Sequence, residues 1–262
     1  YSLYKPLAEK NRQQINEIVS VQGYLYYKIG LFVGGIAVLL MCFFPWIGGV
    51  IGLLLYGWAV LCRKLDIGSF CQVLMCAVIP LAVSGGFHVD GFMDTMDAFH
   101  SYQEKERKLE ILKDSHIGAF AVIMLALYGL IYLAAYSEVQ DIDIYRILCA
   151  GFFLSRALSG VAVLMFPKAK KNGMLHTFDE VSRTGTVRNI LVLQCIACVI
   201  FMLIQSVTTG SLIAGTAFVV FWYYYRKTKK ELGGITGDTA GYFVTVCEGA
   251  MAVMAACICI LK

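Results

Sequence analysis

Long apolar runs separated by short polar loops dominate the chain. The first run, Ile29–Cys62, is far longer than the roughly 20 residues that one spanning helix needs, and it contains Pro45, Gly48 and Gly49. It predicts either one long helix or a tight helical hairpin. Six cleaner runs follow, at Gly68–Phe87, Ile117–Tyr136, Ile144–Phe166, Asn189–Val207, Ser211–Tyr225 and Thr239–Ile260. The pattern therefore predicts an all-α, polytopic integral membrane helical bundle with about seven transmembrane helices, or eight if the first run is a hairpin.

Composition supports a membrane protein and predicts one main domain. The chain is 59% apolar and 15% charged, whereas an average soluble domain is about 25% charged. Residues 1–28 form a polar segment of mixed charge and uncertain role, which does not resemble a cleavable signal peptide. Residues 29–262 are expected to form a single transmembrane catalytic domain.

The loops between the runs differ sharply in charge. Residues 89–116, 168–188 and 226–238 together carry thirteen Lys and Arg, whereas Ser137–Asp143 and Thr208–Gly210 carry none. Positive residues concentrate in cytoplasmic loops, so the three basic loops are expected to face the cytoplasm, and a nucleic-acid partner is not expected. Arg63 and Lys64 fall on the opposite side in this scheme.

The first basic loop begins with an acidic cluster. Asp90, Asp94 and Asp97 are spaced i, i+4, i+7, which on a helix places three carboxylates on one face. A divalent cation would relieve their repulsion, and Mg²⁺ commonly uses one or two carboxylates together with substrate phosphates. His88 is a candidate base or phosphate contact. A solvated acidic face at the membrane edge is the alternative.

Further along the same loop, Arg107, Glu110 and Asp114 are spaced i, i+3, i+7, which predicts a second polar helix face. Asp114 and Ser115 directly precede an apolar run. They are therefore either an N-cap of that helix or part of a site, and Asp114 could serve as both.

The third basic loop is rich in glycine. Residues 231–239 contain three glycines, and the N–H groups of such a turn can form an anion-binding nest. Asp238 opens the last predicted helix, and Glu248 lies about three turns deeper. Glu248 and Arg156 are ionisable residues inside apolar runs, so they either face a pocket or pair with a buried partner. A metal-binding cluster beside an anion-binding loop is typical of transfer of a phosphate-containing group.

Three ordered motifs resemble one enzyme family. Gly85–Asp97, Leu109–Gly118 and Leu232–Thr239, with Glu248 downstream, are similar to the cobalamin-5′-phosphate synthases, also called adenosylcobinamide-GDP ribazoletransferases. The likeness extends over about Cys42 to Leu261. It implies a multi-pass protein of the cell (cytoplasmic) membrane, an active site on the cytoplasmic side, and the last assembly step of the cobalamin nucleotide loop.

The resemblance also implies substrates, a cofactor and roles. The substrates would be adenosylcobinamide-GDP and either α-ribazole or its 5′-phosphate. The products would be GMP and either adenosylcobalamin or its 5′-phosphate. The cofactor would be Mg²⁺, held by Asp90, Asp94 and Asp114. Asp97 or His88 would take the proton from the ribose 3′-hydroxyl. The expected substrate-binding residues are Arg107, Lys113, Ser115, Gly233, Gly234, Thr236, Gly237, Asp238 and Glu248. A homo-oligomer is left open.

Two other functions are considered. A CDP-alcohol-type phosphotransferase acting on a lipid alcohol usually has Ala-Arg shortly after Asp-Gly, whereas here Asp90-Gly91 is followed by Phe-Met-Asp94. A cation-coupled transporter often shows paired repeats and broken helices near the midplane. The acids here cluster on one predicted side and no repeat is evident, so both alternatives are less favoured.

Overall fold

The computed structural model describes residues 39–114, 116–169 and 185–262. The segment of uncertain role, residues 1–28, lies outside this part of the chain, as does the predicted site residue Ser115. The described ranges hold nine helices and no strand. In chain order the helices are α1 (Leu39–Leu65), α2 (Ser69–Ser84), α3 (Phe87–His100), α4 (Lys105–Ile111), α5 (Ala119–Glu138), α6 (Ile142–Met165), α7 (Gly185–Gln205), α8 (Val207–Leu232) and α9 (Gly237–Ile260).

The helices confirm a polytopic, all-α membrane protein. In the described ranges, six helices are long and apolar enough to cross a membrane: α1 and α5 to α9. Helices α2 and α3 are bent by 97° relative to each other, and counting this pair as one broken span raises the number to seven. Outward-facing apolar side chains such as Leu130 and Leu193 are more than three-fifths exposed, as expected for residues that face lipid.

The first apolar run is one helix where the structure describes it, so the hairpin alternative is wrong over Leu39–Leu65. Glycines there permit close helix packing and do not make a turn. A Cβ at Gly48 would lie 2.0 Å from the backbone oxygen of Phe152, and one at Gly52 would lie 2.3 Å from that of Cys149. Small residues let membrane helices approach closely, so the glycines at these two positions allow α1 to pack closely against α6.

Helix α6 is the centre of the bundle. It packs against α7, α8 and α9, and most of its length is buried. Helix α3 packs mainly across α9 and α5. The polar residues of α3 are therefore held against the start of α9.

The two ends of the bundle hold different loops. At one end, the basic loops meet: Lys108 pairs with Glu231 at 2.6 Å, and a parallel bridge joins Lys168 to Ile235. At the other end, Lys262 pairs with Asp141 at 2.8 Å, and the Arg63 guanidinium donates to the backbone oxygen of Gln140. We call these the carboxylate end and the capped end. Arg63 lies on the opposite side from the basic loops, as the sequence predicts.

Candidate functional site

A tight turn and a close helix crossing position the acidic residues of α3. Gly85 and Gly86 have φ values of 62° and 79°, a region in which residues with a Cβ are strained, and this turn produces the sharp bend between α2 and α3. A Cβ at Gly91 would lie 2.5 Å from the backbone oxygen of Asp238. Gly91 therefore lets α3 cross directly over the first turn of α9.

This crossing brings four carboxylates together. Asp94 is repelled electrostatically by Asp90, Asp238 and Asp97. The helical spacing predicted for the three α3 residues is present, and Asp238, in the first turn of α9, joins them from the third motif. Within the described residues, no hydrogen bond or ion pair links Asp90 or Asp94 to another side chain. The cluster thus concentrates negative charge at the carboxylate end.

A cavity of about 350 Å³ opens beside the cluster, between α1, α3, α6 and α9. Asp90, Asp238 and His88 line it, together with Ser159 and Gly237. We call it the carboxylate cavity. Ser159 belongs to an apolar run without a motif, so no sequence signal marks it as a lining residue.

Asp97 has a different environment from Asp90. A Cβ at Gly118 would lie 1.9 Å from an Asp97 carboxylate oxygen, so this carboxylate lies directly against the N-cap of α5. A negative charge at a helix N-terminus is stabilised by the helix dipole. Asp97 therefore has a structural task in addition to any chemical one.

Asp114 is not among the carboxylates that act electrostatically on Asp94. Its Oδ1 accepts from the backbone N–H of His116 at 3.0 Å and pairs with the His116 ring Nδ1 at 2.6 Å. The side-chain hydrogen bond from His116 lowers the pKa of this carboxyl. Helix α5 has Gly118 as N-cap, without a side-chain cap bond, so the N-cap interpretation of Asp114 is wrong.

The second predicted polar helix face is only partly formed. Helix α4 ends at Ile111, so Asp114 is not on the same helix as Arg107 and Glu110, because a turn follows the helix. Arg107 pairs with Glu110 at 2.7 Å, and both side chains are exposed. Lys113 is also exposed.

Most backbone donors of the glycine-rich loop are already used. Gly233, at φ 76°, is the C-cap of α8 and donates to the backbone oxygen of Lys229, while Gly234 donates to that of Thr228. The Ile235 N–H donates to Pro167 at 2.8 Å. The open nest predicted for this loop is thus wrong at these positions, because their N–H groups close a helix and bridge to another loop.

The end of the glycine-rich loop reaches the site. Thr236 is the N-cap of α9 and forms a reciprocal capping box with Thr239, so it has a structural role beside the substrate contact that was predicted. The next two residues, Gly237 and Asp238, form the first turn of α9 and line the carboxylate cavity. A helix N-terminus attracts anions, so these two residues are the part of the loop best placed near a phosphate.

Glu248 lies away from the four clustered carboxylates, deep in the bundle. It forms an ion pair with Arg156, and it accepts from the Ser155 hydroxyl at 3.0 Å. Both members of the pair are buried, so the prediction of a buried partner is confirmed. The pair also lines a second cavity, of about 190 Å³, which shares His88 with the first. We call it the aromatic cavity because Tyr128 and Tyr132 face it.

The donor set of the carboxylate cavity suits Mg²⁺ bound together with phosphate. In the described ranges, no group of three His, Cys, Asp or Glu side chains forms a complete metal site. Mg²⁺ keeps several waters and is usually bound by one or two carboxylates and the phosphates of a substrate. Asp90, which lines the cavity, and Asp94 beside it repel each other and have no hydrogen bond or ion pair to another described side chain, which matches that mode of binding.

Fold and site together define a multi-pass membrane protein with an acidic cavity suited to a phosphate-containing ligand. Sequence comparison identifies its family. The model of the cobalamin-5-phosphate synthase family matches residues 36–256, and the chain belongs to this family.

Curated relatives agree with the family model. A Lachnoclostridium phytofermentans protein named adenosylcobinamide-GDP ribazoletransferase is 41% identical over 208 residues, 79% of each chain. Proteins with the same name from Clostridium perfringens and Treponema denticola are 34% and 33% identical, over 80% of this chain and 83% and 84% of theirs. No solved structure matches the chain.

Proposed function

We propose that this protein transfers the adenosylcobinamide-phosphate group from adenosylcobinamide-GDP to α-ribazole or its 5′-phosphate. Membership of the family supports the reaction, and the observation that carries the site is the crossing of α3 and α9, which gathers Asp90, Asp94 and Asp238 beside a cavity. The ribazole 3′-oxygen forms a bond to the cobinamide-linked phosphorus. The diphosphate bond breaks, and GMP leaves with the bridging oxygen.

We assign the binding of Mg²⁺ and the diphosphate to this cluster. Asp90 and Asp94 would hold the ion, with Asp238 from α9 beside them. When bound, Mg²⁺ supplies positive charge that neutralises the diphosphate oxygens. Asp114 remains a predicted ligand, and its partner in the structure is His116.

His88 is the better placed of the two predicted proton acceptors. It lines both cavities, and its backbone oxygen accepts from the Thr245 hydroxyl at 3.1 Å, which anchors this part of α3 to α9. Asp97 instead lies against the start of α5. We therefore assign the proton of the 3′-hydroxyl to His88, and expect His88→Gln to slow turnover more than Asp97→Asn does.

We further propose that the carboxylate end faces the cytoplasm and that the protein lies in the cell membrane. The basic loops meet at this end, and positive loops are retained on the cytoplasmic side. Labelling of single added cysteines in intact cells would test the orientation. Reaction at the capped end and protection at the carboxylate end are expected, and the reverse would contradict the assignment.

The reaction itself is tested by GMP release from purified protein in detergent. We expect GMP only when adenosylcobinamide-GDP, α-ribazole or its phosphate, and Mg²⁺ are all present. Omission of each component in turn provides the controls. GMP release that does not require the ribazole, or transport of substrate into vesicles without GMP release, would contradict the proposal.

A further inference from the structure

The aromatic cavity lies deeper in the bundle than the acidic cluster and differs from it in chemistry. Its walls come from α2, α3, α5, α6 and α9, and they are mostly apolar. The rings of Tyr128 and Tyr132 are 5.6 Å apart and form one side. The Tyr128 hydroxyl donates to the Thr245 backbone at 2.9 Å, and that of Tyr132 donates to Cys76 at 3.2 Å. Both rings are therefore fixed in place.

Two polar groups at this cavity lack partners. The Arg156 Nε and the His88 Nδ1 are buried without a hydrogen bond to any described residue. Arg156 is 1% exposed, and its Nη1 is occupied by Glu248 and by the backbone oxygen of Phe152 at 3.0 Å. Arg156 lines the cavity, and of its guanidinium nitrogens only Nη1 has hydrogen-bond partners among the described residues. Leaving buried donors unsatisfied is costly, so this side chain favours a ligand that brings an acceptor.

His88 lies between the two cavities, because it lines both of them. Its side chain is therefore the shared wall past which a ligand would have to extend from the aromatic cavity to reach the carboxylates. The size is also informative: a cavity of roughly 150 Å³ binds benzene in another protein, so about 190 Å³ suits a small fused aromatic ring.

We propose that the aromatic cavity binds the bicyclic aromatic base of α-ribazole, with the ribose directed past His88 to the carboxylate cavity. This inference rests on the proposed function. The benzimidazole base is flat and largely apolar, and its free ring nitrogen accepts a hydrogen bond, which Arg156 can donate. Arg156 is thereby a binding residue for the acceptor substrate, and Glu248 is a positioning residue that holds Arg156 in place.

Other occupants fit the cavity less well. Guanine, the base of the second substrate, carries several donors and acceptors that these apolar walls would leave unpaired. A lipid acyl chain has no acceptor for Arg156. Of these candidate ligands, an apolar aromatic base with a single hydrogen-bond-accepting nitrogen fits the aromatic cavity best.

Gly129 offers a position from which an added side chain can reduce the volume of the cavity. It lines the aromatic cavity, and a Cβ at this position would meet no atom within 4 Å. Gly215, on α8, has equally open surroundings and is not among the residues that line the cavity, so it is a matched control. We would compare Gly129→Leu and the milder Gly129→Ala with Gly215→Leu in purified protein.

The readout is the KM for each substrate. Since overpacking a binding pocket is costly, we expect Gly129→Leu to raise the KM for α-ribazole roughly tenfold or more, and Gly129→Ala to raise it less. The KM for adenosylcobinamide-GDP should stay within about twofold of wild type, which also shows that the variant is folded. A riboside of unsubstituted benzimidazole, which is smaller, should recover part of the loss.

Three results would overturn the inference. They are a KM increase for adenosylcobinamide-GDP instead, equal increases for both substrates, or no change for either. If Gly129→Leu does not fold, the same criteria apply to Gly129→Ala. Failure of the proposed function looks different, because the wild-type protein itself would then release no GMP from these substrates.

Discussion

Two sets of acidic residues, one at each end of the bundle, have opposite surroundings. At the capped end, Asp141 caps α6 by accepting from the N–H groups of Asp143 and Ile144, and it also pairs with Lys262. At the carboxylate end, Asp90 and Asp94 repel each other and have no partner among the described residues. The charge of Asp141 is thus satisfied locally, whereas those of Asp90 and Asp94 accumulate, although another acid at the same end, Glu231, is paired with Lys108.

This contrast separates structural acids from functional ones. A helix that ends at a membrane surface can solvate or cap its acids, as α6 does at Asp141. Repulsion among neighbouring carboxylates has no such structural benefit, and it is relieved when a cation binds. The difference predicts that substitutions at the two ends will affect different properties of the protein.

Removal of one clustered charge should have the largest effect on activity. We expect Asp90→Asn and Asp94→Asn each to lower kcat by at least about 100-fold, because metal-dependent charge stabilisation provides several kcal/mol. Stability should be unchanged or higher, since repulsion falls. Asp143→Asn, at the capped end, is the control and should remain within about twofold of wild type, because among the described residues Asp143 pairs only with Arg146, at 3.0 Å, and exposed ion pairs contribute little. If Asp143→Asn lowered kcat as much as Asp90→Asn and Asp94→Asn do, the proposed difference between the two ends would be contradicted.

Breaking the buried Arg156–Glu248 ion pair, which lies within the bundle, should have the largest effect on stability. We expect Arg156→Met to destabilise the protein by about 3–5 kcal/mol, because Glu248 is left buried without its partner. Arg156→Met combined with Glu248→Met should recover much of this loss. Thermal unfolding in detergent would measure both. A double variant no more stable than the single one would show that the pair is not the source of the effect.

The close crossing of α3 and α9 can be tested with one methyl group. We expect Gly91→Ala to cost about 1–3 kcal/mol and to lower activity, because its Cβ would collide with the backbone of Asp238. Gly57→Ala is the control, since a Cβ there meets nothing within 4 Å. If Gly91→Ala behaved like Gly57→Ala in both unfolding and turnover, the crossing would not be what assembles the cluster.

Substitution of Asp141, at the capped end, should have the smallest effect on stability, and this effect should depend most on pH. Asp141→Ala is expected to cost about 0.5–2 kcal/mol as a lost N-cap, whereas Asp141→Asn keeps the cap. The hydrogen bond from Lys262 lowers the pKa of Asp141, so its stabilisation is present above the unfolded pKa of about 3.9 and is lost as pH falls through the folded pKa. The stability of Asp141→Asn should not show this loss at acidic pH. If the variant and the wild type lost stability with the same pH dependence, the assignment would be contradicted.

Sequence patterns predicted the spans and the acidic helix because both depend on local periodicity. The hydrophobic runs located the six long helices, and the spacing of Asp90, Asp94 and Asp97 located α3. The sequence did not decide whether the first apolar run turns at Gly48 or continues as one helix. Tertiary packing decides this, since Gly48 packs against Phe152, which is more than 100 residues away along the chain.

Long-range arrangement also explains where prediction and structure differ. Asp238 was predicted as a substrate-binding residue of the site and not as a member of the acidic cluster. The addition of Asp238 to the cluster depends on the crossing at Gly91, and the loss of the predicted anion nest depends on a bridge to Pro167. Neither contact leaves a local sequence signal. An N-cap was one of the two alternatives for Asp114, but Gly118 is the N-cap of α5 and Asp114 pairs with His116.

The most direct test of the central claim is metal binding measured without turnover. Mn²⁺ can replace Mg²⁺ as an oxygen-bound probe and can be followed by electron paramagnetic resonance in the presence of GDP. We expect binding to the wild type and to Asp143→Asn, and loss of binding in Asp90→Asn combined with Asp94→Asn. Undiminished binding to that double variant would contradict the claim that the repelling carboxylates of α3 hold the metal and diphosphate.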